Sequence, residues 1–485
     1  MTGTIAGPTE FRRPLTFERR GIGTIPEEER RSTPLTFFLI FCGTGPTLGT
    51  IVFGWLPVEF GLGFWPAITS MATGTLVALI PMTPLIVIAT KTATNNSTSS
   101  GAHFGVRGRL IGSGLGLALV LLGVVIAIWS AGQILVAGAG RLLHTPTGNG
   151  TLAVAYVILT VLSAVIAITG YHLVARTNAV LTVFGAVTMM LMPVAFAGHL
   201  DTGYRGGHYV LGTFAATWLL SALSVGVGGV MTMATVVGDW SRYIPARKYP
   251  PSRFLPVALL AVVLSYIVPM GIGALVTTAF TRPDAPFPQS LVAASPAWYA
   301  VLLIPMALLG NLGWSGSSIY STGLDLETIV PWITRARLTV IMSVLSIALV
   351  LAGSLIWNAS DTISAMSLIV LAASAPWAAV IGVGYLRCHG RYLKEDLQRF
   401  NKGETGGAYW YTRGWNLPAV AAWVAGCAFG VLTVQTTLYT GPLSGIAGGV
   451  DVSFAGSFLI AGVLYLVLEA SAHLSRRPGR PALAR

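Results

Sequence analysis

Apolar stretches of about 20 residues, the length a helix needs to cross a roughly 30 Å hydrocarbon core, recur along nearly the whole chain. Hydropathy places them at 35–58, 64–89, 114–139, 151–169, 178–198, 211–237, 254–280, 297–320, 338–357, 362–386, 417–439 and 452–474. The pattern predicts an all-α polytopic membrane protein with about twelve transmembrane helices. It divides the chain into a cytoplasmic leader (1–34), a transmembrane domain (35–474) and a cytoplasmic tail (475–485). The leader carries FRRPLTFERR and EEERR ahead of the first apolar run, so that run lacks the layout of a cleaved signal peptide and is read as a retained span.

Two spans carry residues that disfavour a helix. The first contains FCGTGPTLGT at 41–50, with Gly43, Gly45 and Gly49 around Pro46; Gly costs roughly 1 kcal/mol and Pro roughly 3 kcal/mol in a helix interior. In lipid, unwound backbone persists only where protein or a water-filled cavity satisfies it, and secondary transporters place such breaks at the bilayer midplane to bind substrate and ion. Five spans later SVGVGGVMTM puts Gly226, Gly228 and Gly229 in mid-span. Each cluster alone reads equally well as a close-packing face. Their matched positions point to a five-plus-five inverted repeat with discontinuous helices 1 and 6, followed by two C-terminal helices.

Composition agrees with the hydropathy: 54% of residues are hydrophobic, 9% are charged, and mean hydropathy is +0.73. The net charge of +12 would suggest a nucleic-acid partner on a soluble protein. Its distribution says otherwise. On the twelve-span topology 26 of the 29 Lys and Arg fall on one side of the membrane, and only Arg141, Arg205 and Arg282 on the other. By the positive-inside rule both termini are cytoplasmic. The partners expected are the lipid bilayer of the plasma membrane and a small-molecule substrate, with no nucleic acid.

Catalytic signatures are missing. The chain has no HExxH, no GxxxxGK[ST] and no GxSxG following a strand. Cys42, Cys388 and Cys427 have no metal-ligand spacing, and the seven histidines fall in loops or at helix ends. Neither an enzyme nor a metal or organic cofactor is expected.

Several segments carry a family likeness: ERRGIGTIPEEER (18–30), FGLGFWPA (60–67), SSGAHFGVRGRL (99–110), GDWSRYIP (238–245), IYSTGLDLE (319–327) and GAYWYTRGWNLPAVAAWVAG (407–426). The chain resembles the nucleobase:cation symporter-1 family, its purine-cytosine permease branch most, over about residues 17–475. The resemblance implies import of a purine, pyrimidine or related heterocycle, coupled to protons or sodium. A Trp and an amide four residues apart on the family's third helix match Trp129 and Gln133 in IAIWSAGQIL. That spacing puts both on one helical face, where an indole can stack on a flat ring while a carboxamide donates to and accepts from its edge. A Trp is also a common interfacial anchor, and a buried Gln can instead bond a neighbouring helix.

The first break offers Gly45 and Thr47, the latter aligned with a Ser that the family uses near substrate, although such a Thr can equally bond its own helix. Asn311, Ser315, Ser317 and Ser318 are candidates on the eighth helix. On the sixth, Met233 beside Thr232 stands six residues before Asp239, where many relatives place a second aromatic. Sodium-coupled relatives carry adjacent hydroxyls on the eighth helix at positions matching Leu312 and Gly313. This departure favours protons as the coupling ion, with sodium the alternative should a one-turn shift bring in Ser315 or Ser317. No Asp, Glu, Lys or His lies near the middle of any span, so the substrate expected is neutral: cytosine, a purine, hydantoin or allantoin. A carrier of amino acids or other organic solutes, or a non-transporting membrane sensor, is the alternative.

Overall fold

Prolines and short polar side chains decide where the helices start. Pro34 opens α1 (Pro34–Thr44) behind Thr33, whose Oγ1 accepts the Thr36 amide at 3.1 Å. Pro46 has no N–H to continue the ladder. The chain leaves helical geometry there and Thr47 caps α2 (Leu48–Glu59), its Oγ1 accepting the Thr50 amide at 3.3 Å. The two halves meet at 65°, at the break the sequence predicts.

The computed structural model describes residues 23–475 apart from 170, 281–285, 330–334, 358 and 449. Residues 1–22 of the leader and 476–485 of the tail lie outside the described residues. After α2 come α3 (Phe64–Thr92), α4 (Asn96–Phe104), α5 (Arg109–Leu143), α6 (Asn149–Thr169) and α7 (Tyr171–Ala195). Then α8 (Phe214–Ser221) passes through a π turn over Ala222–Val227 into α9 (Gly228–Met231), and α10 (Val237–Ser241) follows after a gap. The second half holds α11 (Pro251–Thr277), α12 (Phe287–Ala294), α13 (Ala297–Ile329), α14 (Arg335–Leu351) with a π turn over Ala352–Ile356, and α15 (Ala359–Arg387). A short α16 (Lys394–Gln398) precedes α17 (Leu417–Thr433) and α18 (Ser453–Ser475). A helix occupies each of the twelve predicted segments. Among the described residues nine are long and apolar enough to cross a membrane singly, the α1–α2 pair makes a tenth, and Val183–Ala195 and Leu417–Thr433 are shorter apolar helices.

The sixth segment corrects the expectation in detail. Its glycines do not unwind it; they let helices touch. A Cβ at Gly226 would stand 2.6 Å from Gly74 Cα on α3, and one at Gly229 would stand 2.8 Å from the Met270 side chain on α11. The α-helical ladder gives way at Thr232–Val236 to tighter 3₁₀-type turns, where bonds such as Met233 N–H to Val230 O (3.1 Å) and Ala234 N–H to Met231 O (3.0 Å) skip two residues rather than three. Asn96 of α4 steadies this stretch by donating Nδ2 to Ala234 O at 2.7 Å.

Around the two breaks α5 packs along α13, and α11 lies against α1, α2 and α3. The last two helices, α17 and α18, pack on each other and on α15. The leader ties one end of the bundle. Arg30 is buried and donates to Thr90 O at the end of α3 (2.6 Å), to Arg242 O just past α10 (3.0 Å) and to Ile244 O. At the opposite end Arg141 of α5 donates to Val292 O and, at 2.6 Å, to Ser295 O beside α12.

Outside the spans, His103 near the end of α4 lies beneath Gly384 with its Nε2 3.1 Å from the Tyr392 hydroxyl. Burial pushes its imidazole down to about 3 from 6.5. Between these values the unfolded chain binds the proton and the native chain does not. The contribution of this group to stability is therefore full above pH 6.5 and is lost as pH falls toward 3. Thermal unfolding in detergent should show stability falling from pH 7 to pH 5, with a shallower slope for His103→Asn; equal slopes would exclude His103 as a titrating group.

Candidate functional site

The two breaks meet at a cavity of about 60 Å³ in the middle of the bundle. Gly45, Thr47, Leu48, Gly49, Thr50 and Phe53 line it from the first break, Thr232 and Met233 from the second. α5 adds Gly123, Ile126, Ala127, Ser130 and Ala131; α11 adds Ser265 and Tyr266; α13 adds Ala307, Gly310, Asn311 and Trp314. No Asp, Glu, Lys, Arg or His is among these lining residues.

Each wall has a local cause. A Cβ at Gly45 would stand 2.7 Å from Ser265 O, so only glycine lets the broken backbone lie against α11. Residues of the first turn of α2 line the cavity, and Thr47, whose Oγ1 lies 3.0 Å from Thr50 Oγ1, caps that turn while lining it. Thr232 Oγ1 donates to Gly229 O at 2.6 Å and lies 3.3 Å from the Tyr266 hydroxyl, which joins the second break to α11. Asn311 is anchored to α6: its Nδ2 reaches Ser163 Oγ at 3.1 Å, and its Oδ1 accepts from Ser315 Oγ at 3.1 Å. Opposite Trp314 stands Gly123, where a Cβ would come within 3.1 Å of the indole Nε1.

Five candidates read from the sequence thus reach one cavity: Gly45, Thr47, Thr232, Met233 and Asn311. Trp129, Gln133 and Ser318 do not line it. Trp129 stacks on Trp55 with centroids 6.3 Å apart, and its Nε1 is buried without a partner among the described residues. Gln133 bonds neighbouring helices instead: it donates to the Tyr156 hydroxyl of α6 at 2.9 Å and accepts from Gln289 Nε2 of α12 at 2.5 Å. The Tyr156 hydroxyl in turn lies 2.8 Å from Ser354 Oγ in the second π turn. Ser318 is half-buried, its carbonyl accepting from Thr322 Oγ1 at 2.7 Å, and the Ser317 side chain lies outside the described residues. The aromatic and amide pair that faces the cavity is Asn311 and Trp314. Its signal was present in GNLGWSG, where a spacing of three also shares a helical face. Tyr266 and Ser265 were equally visible as polar residues in the middle of an apolar span.

A family model described as permease for cytosine/purines, uracil, thiamine and allantoin matches residues 24–459. The chain belongs to this family. The permease is 25% identical over 475 residues to the putative purine-cytosine permease YxlA of Bacillus subtilis (strain 168), spanning 95% of this chain and 98% of that one. Its fold is that of Mhp1, a nucleobase-cation-symport-1 family transporter. The closed conformation with bromovinylhydantoin bound aligns at TM-score 0.70 and 18% identity, covering 96% of this chain and 98% of that one. The inward-facing conformation aligns at 0.72 and 18%, covering 95% of each chain. A Na⁺-coupled sialic acid symporter aligns at 0.55 and 13%, covering 96% and 93%. The permease is therefore a multi-pass membrane transporter and not an enzyme.

If the aromatic wall of the site is Trp314, Trp314→Ala in the purified permease should weaken binding of a small ring such as cytosine or hydantoin by about 0.5–1.5 kcal/mol beyond the lost contact area. Trp129→Ala should cost less. Ligand-dependent thermal shifts of both variants decide the point, and the reverse ranking would return the stacking wall to α5.

Proposed function

We propose that the permease is a cation-coupled symporter that imports a small uncharged heterocycle across the plasma membrane by alternating access, with both termini cytoplasmic. The observation that carries this reading is the lining of the central cavity. Burying a charge without a partner costs far more than burying a hydrogen-bonded polar group, and the lining residues offer no charged side chain to meet one. They include the aromatic side chains of Trp314, Phe53 and Tyr266 beside hydroxyls and one carboxamide. That combination suits a neutral ring with donors and acceptors on its rim.

Protons are the coupling ion this reading favours, because Leu312 and Gly313 stand where the resemblance puts hydroxyls in sodium-coupled relatives. Sodium is the other outcome. Nucleobases, hydantoin and allantoin remain the substrate set.

Vesicles reconstituted with the permease should accumulate at least one of labelled cytosine, adenine, hydantoin and allantoin when a proton gradient is imposed. Accumulation under a sodium gradient alone would overturn the ion assignment; no accumulation under either would overturn the substrate class. In the same vesicles Met233→Trp places a rigid plane at the cavity wall in place of a flexible thioether. It should strengthen competition by planar bases about threefold to tenfold, as a stacked pair contributes, and weaken competition by allantoin. An unchanged rank order at normal expression would remove Met233 from the site.

A further inference from the structure

At the leader end of the bundle, away from the central cavity, a groove of about 500 Å³ opens between four stretches of chain. Arg30 of the leader, Lys91 in the last turn of α3, Arg247 beyond α10 and Lys394 at the start of α16 line it, and Glu27 is the one carboxylate among its lining residues. That carboxylate is already committed, with Oε2 accepting Arg30 Nη1 at 2.9 Å. The other Arg30 contacts go to main-chain oxygens of Thr90, Arg242 and Ile244. Among the described residues the side chains of Lys91, Arg247 and Lys394 make no hydrogen bond or close ion pair. Glu28 and Glu29 belong to the same leader turn as Glu27 but are exposed and do not line the groove. Burial and then the like charge of Arg30 make it harder for Lys394 to hold its proton; the nearby Glu27 carboxylate offsets part of this, and the like charge of Arg247 adds to it. Three cations brought together from three separate elements repel one another unless an anion stands between them.

We propose that this groove binds a phosphate-bearing anion. Lys and Arg take phosphate oxygens through charge-assisted hydrogen bonds, and basic pockets between transmembrane helices hold phosphorylated lipid headgroups. At about 500 Å³ the groove is far larger than a halide requires and accommodates a phosphate together with its substituent. A lipid phosphodiester and a free phosphorylated solute share this chemistry. Binding has a mechanical consequence. Arg30 already ties the leader to α3 and to the chain just past α10. An anion shared by Lys91, Arg247 and Lys394 joins α16 to that clamp and removes the repulsion that pushes its members apart.

The test uses the full chain in neutral detergent at constant ionic strength, with thermal unfolding as the readout. Inorganic phosphate and pyrophosphate are the soluble probes; phosphatidylglycerol against phosphatidylcholine in mixed micelles is the lipid probe. At least one anion should raise the unfolding temperature. The double variant Arg247→Gln/Lys394→Gln should weaken its apparent affinity about fivefold for each cation removed, while Lys402→Gln, outside the groove, leaves it unchanged. A response to phosphatidylglycerol alone assigns a headgroup, and a response to the soluble probes alone assigns a free phosphate. Lys394→Glu, which supplies the counter-charge internally, should raise stability without added anion and abolish the response. No response to any probe, or an equal response in parent and double variant, overturns the proposal. Transport is not measured, so the result stands apart from the assignment of the central cavity.

Discussion

Backbone polar groups freed in the middle of an apolar slab must find partners, at several kcal/mol for each that does not. The rest of this structure follows from that constraint. The first break uses Thr47 as a cap and rests against the Ser265 carbonyl; the second donates the Thr232 hydroxyl to its own helix and takes Asn96 onto Ala234 O. One helix serves both. Ser265 and Tyr266 are adjacent on α11, and the first meets Gly45 while the second meets Thr232. The cavity is the space left where the first break, the 3₁₀-type stretch of the sixth segment and α11 do not fill the centre, and α5 and α13 wall it in.

Glycine makes these approaches possible by removing side chains where backbones touch. Gly54 of α2 lies on the Met270 carbonyl of α11, and Gly273 of α11 lies on the Ile51 carbonyl. Gly74 and Gly226 bring α3 against the sixth segment. Contacts this close leave little room for one helix to slide on another without a neighbour shifting. The half of each broken helix is thereby tied to a particular partner: α2 to α11, and the π turn before α9 to α3.

The spans were legible because hydropathy is a local sum that needs no knowledge of neighbours. The first break was legible for the same reason, since Pro46 lacks a donor whatever surrounds it. The second was placed three to ten residues early. Gly226, Gly228 and Gly229 mark tolerance of a close approach, whereas the 3₁₀-type stretch at Thr232–Val236 contains no glycine or proline and is held by Asn96 and Tyr266 from distant segments. The site divides in the same way. Residues at the breaks reach the cavity because the breaks define it. Which face of an intact helix turns inward depends on tertiary packing. So Trp314 of α13 was passed over and Trp129 of α5 was favoured.

Gln133 shows why position on a face does not settle a role. A carboxamide has two donors and two acceptor lone pairs, and here Tyr156, Ser354 and Gln289 occupy three of the four, with Ser354 at the limit of 3.5 Å. These partners come from α6, the π turn after α14, and α12, so the one amide connects the short helix α12 to two spans beside α5. A ring edge that took the same amide would have to displace them. Exchanging one set of hydrogen bonds for another of equal number changes free energy little, whereas losing them without replacement costs about 1–3 kcal/mol per buried group. Gln133 thus joins Arg141, which donates to Val292 O, in holding α12 against α5.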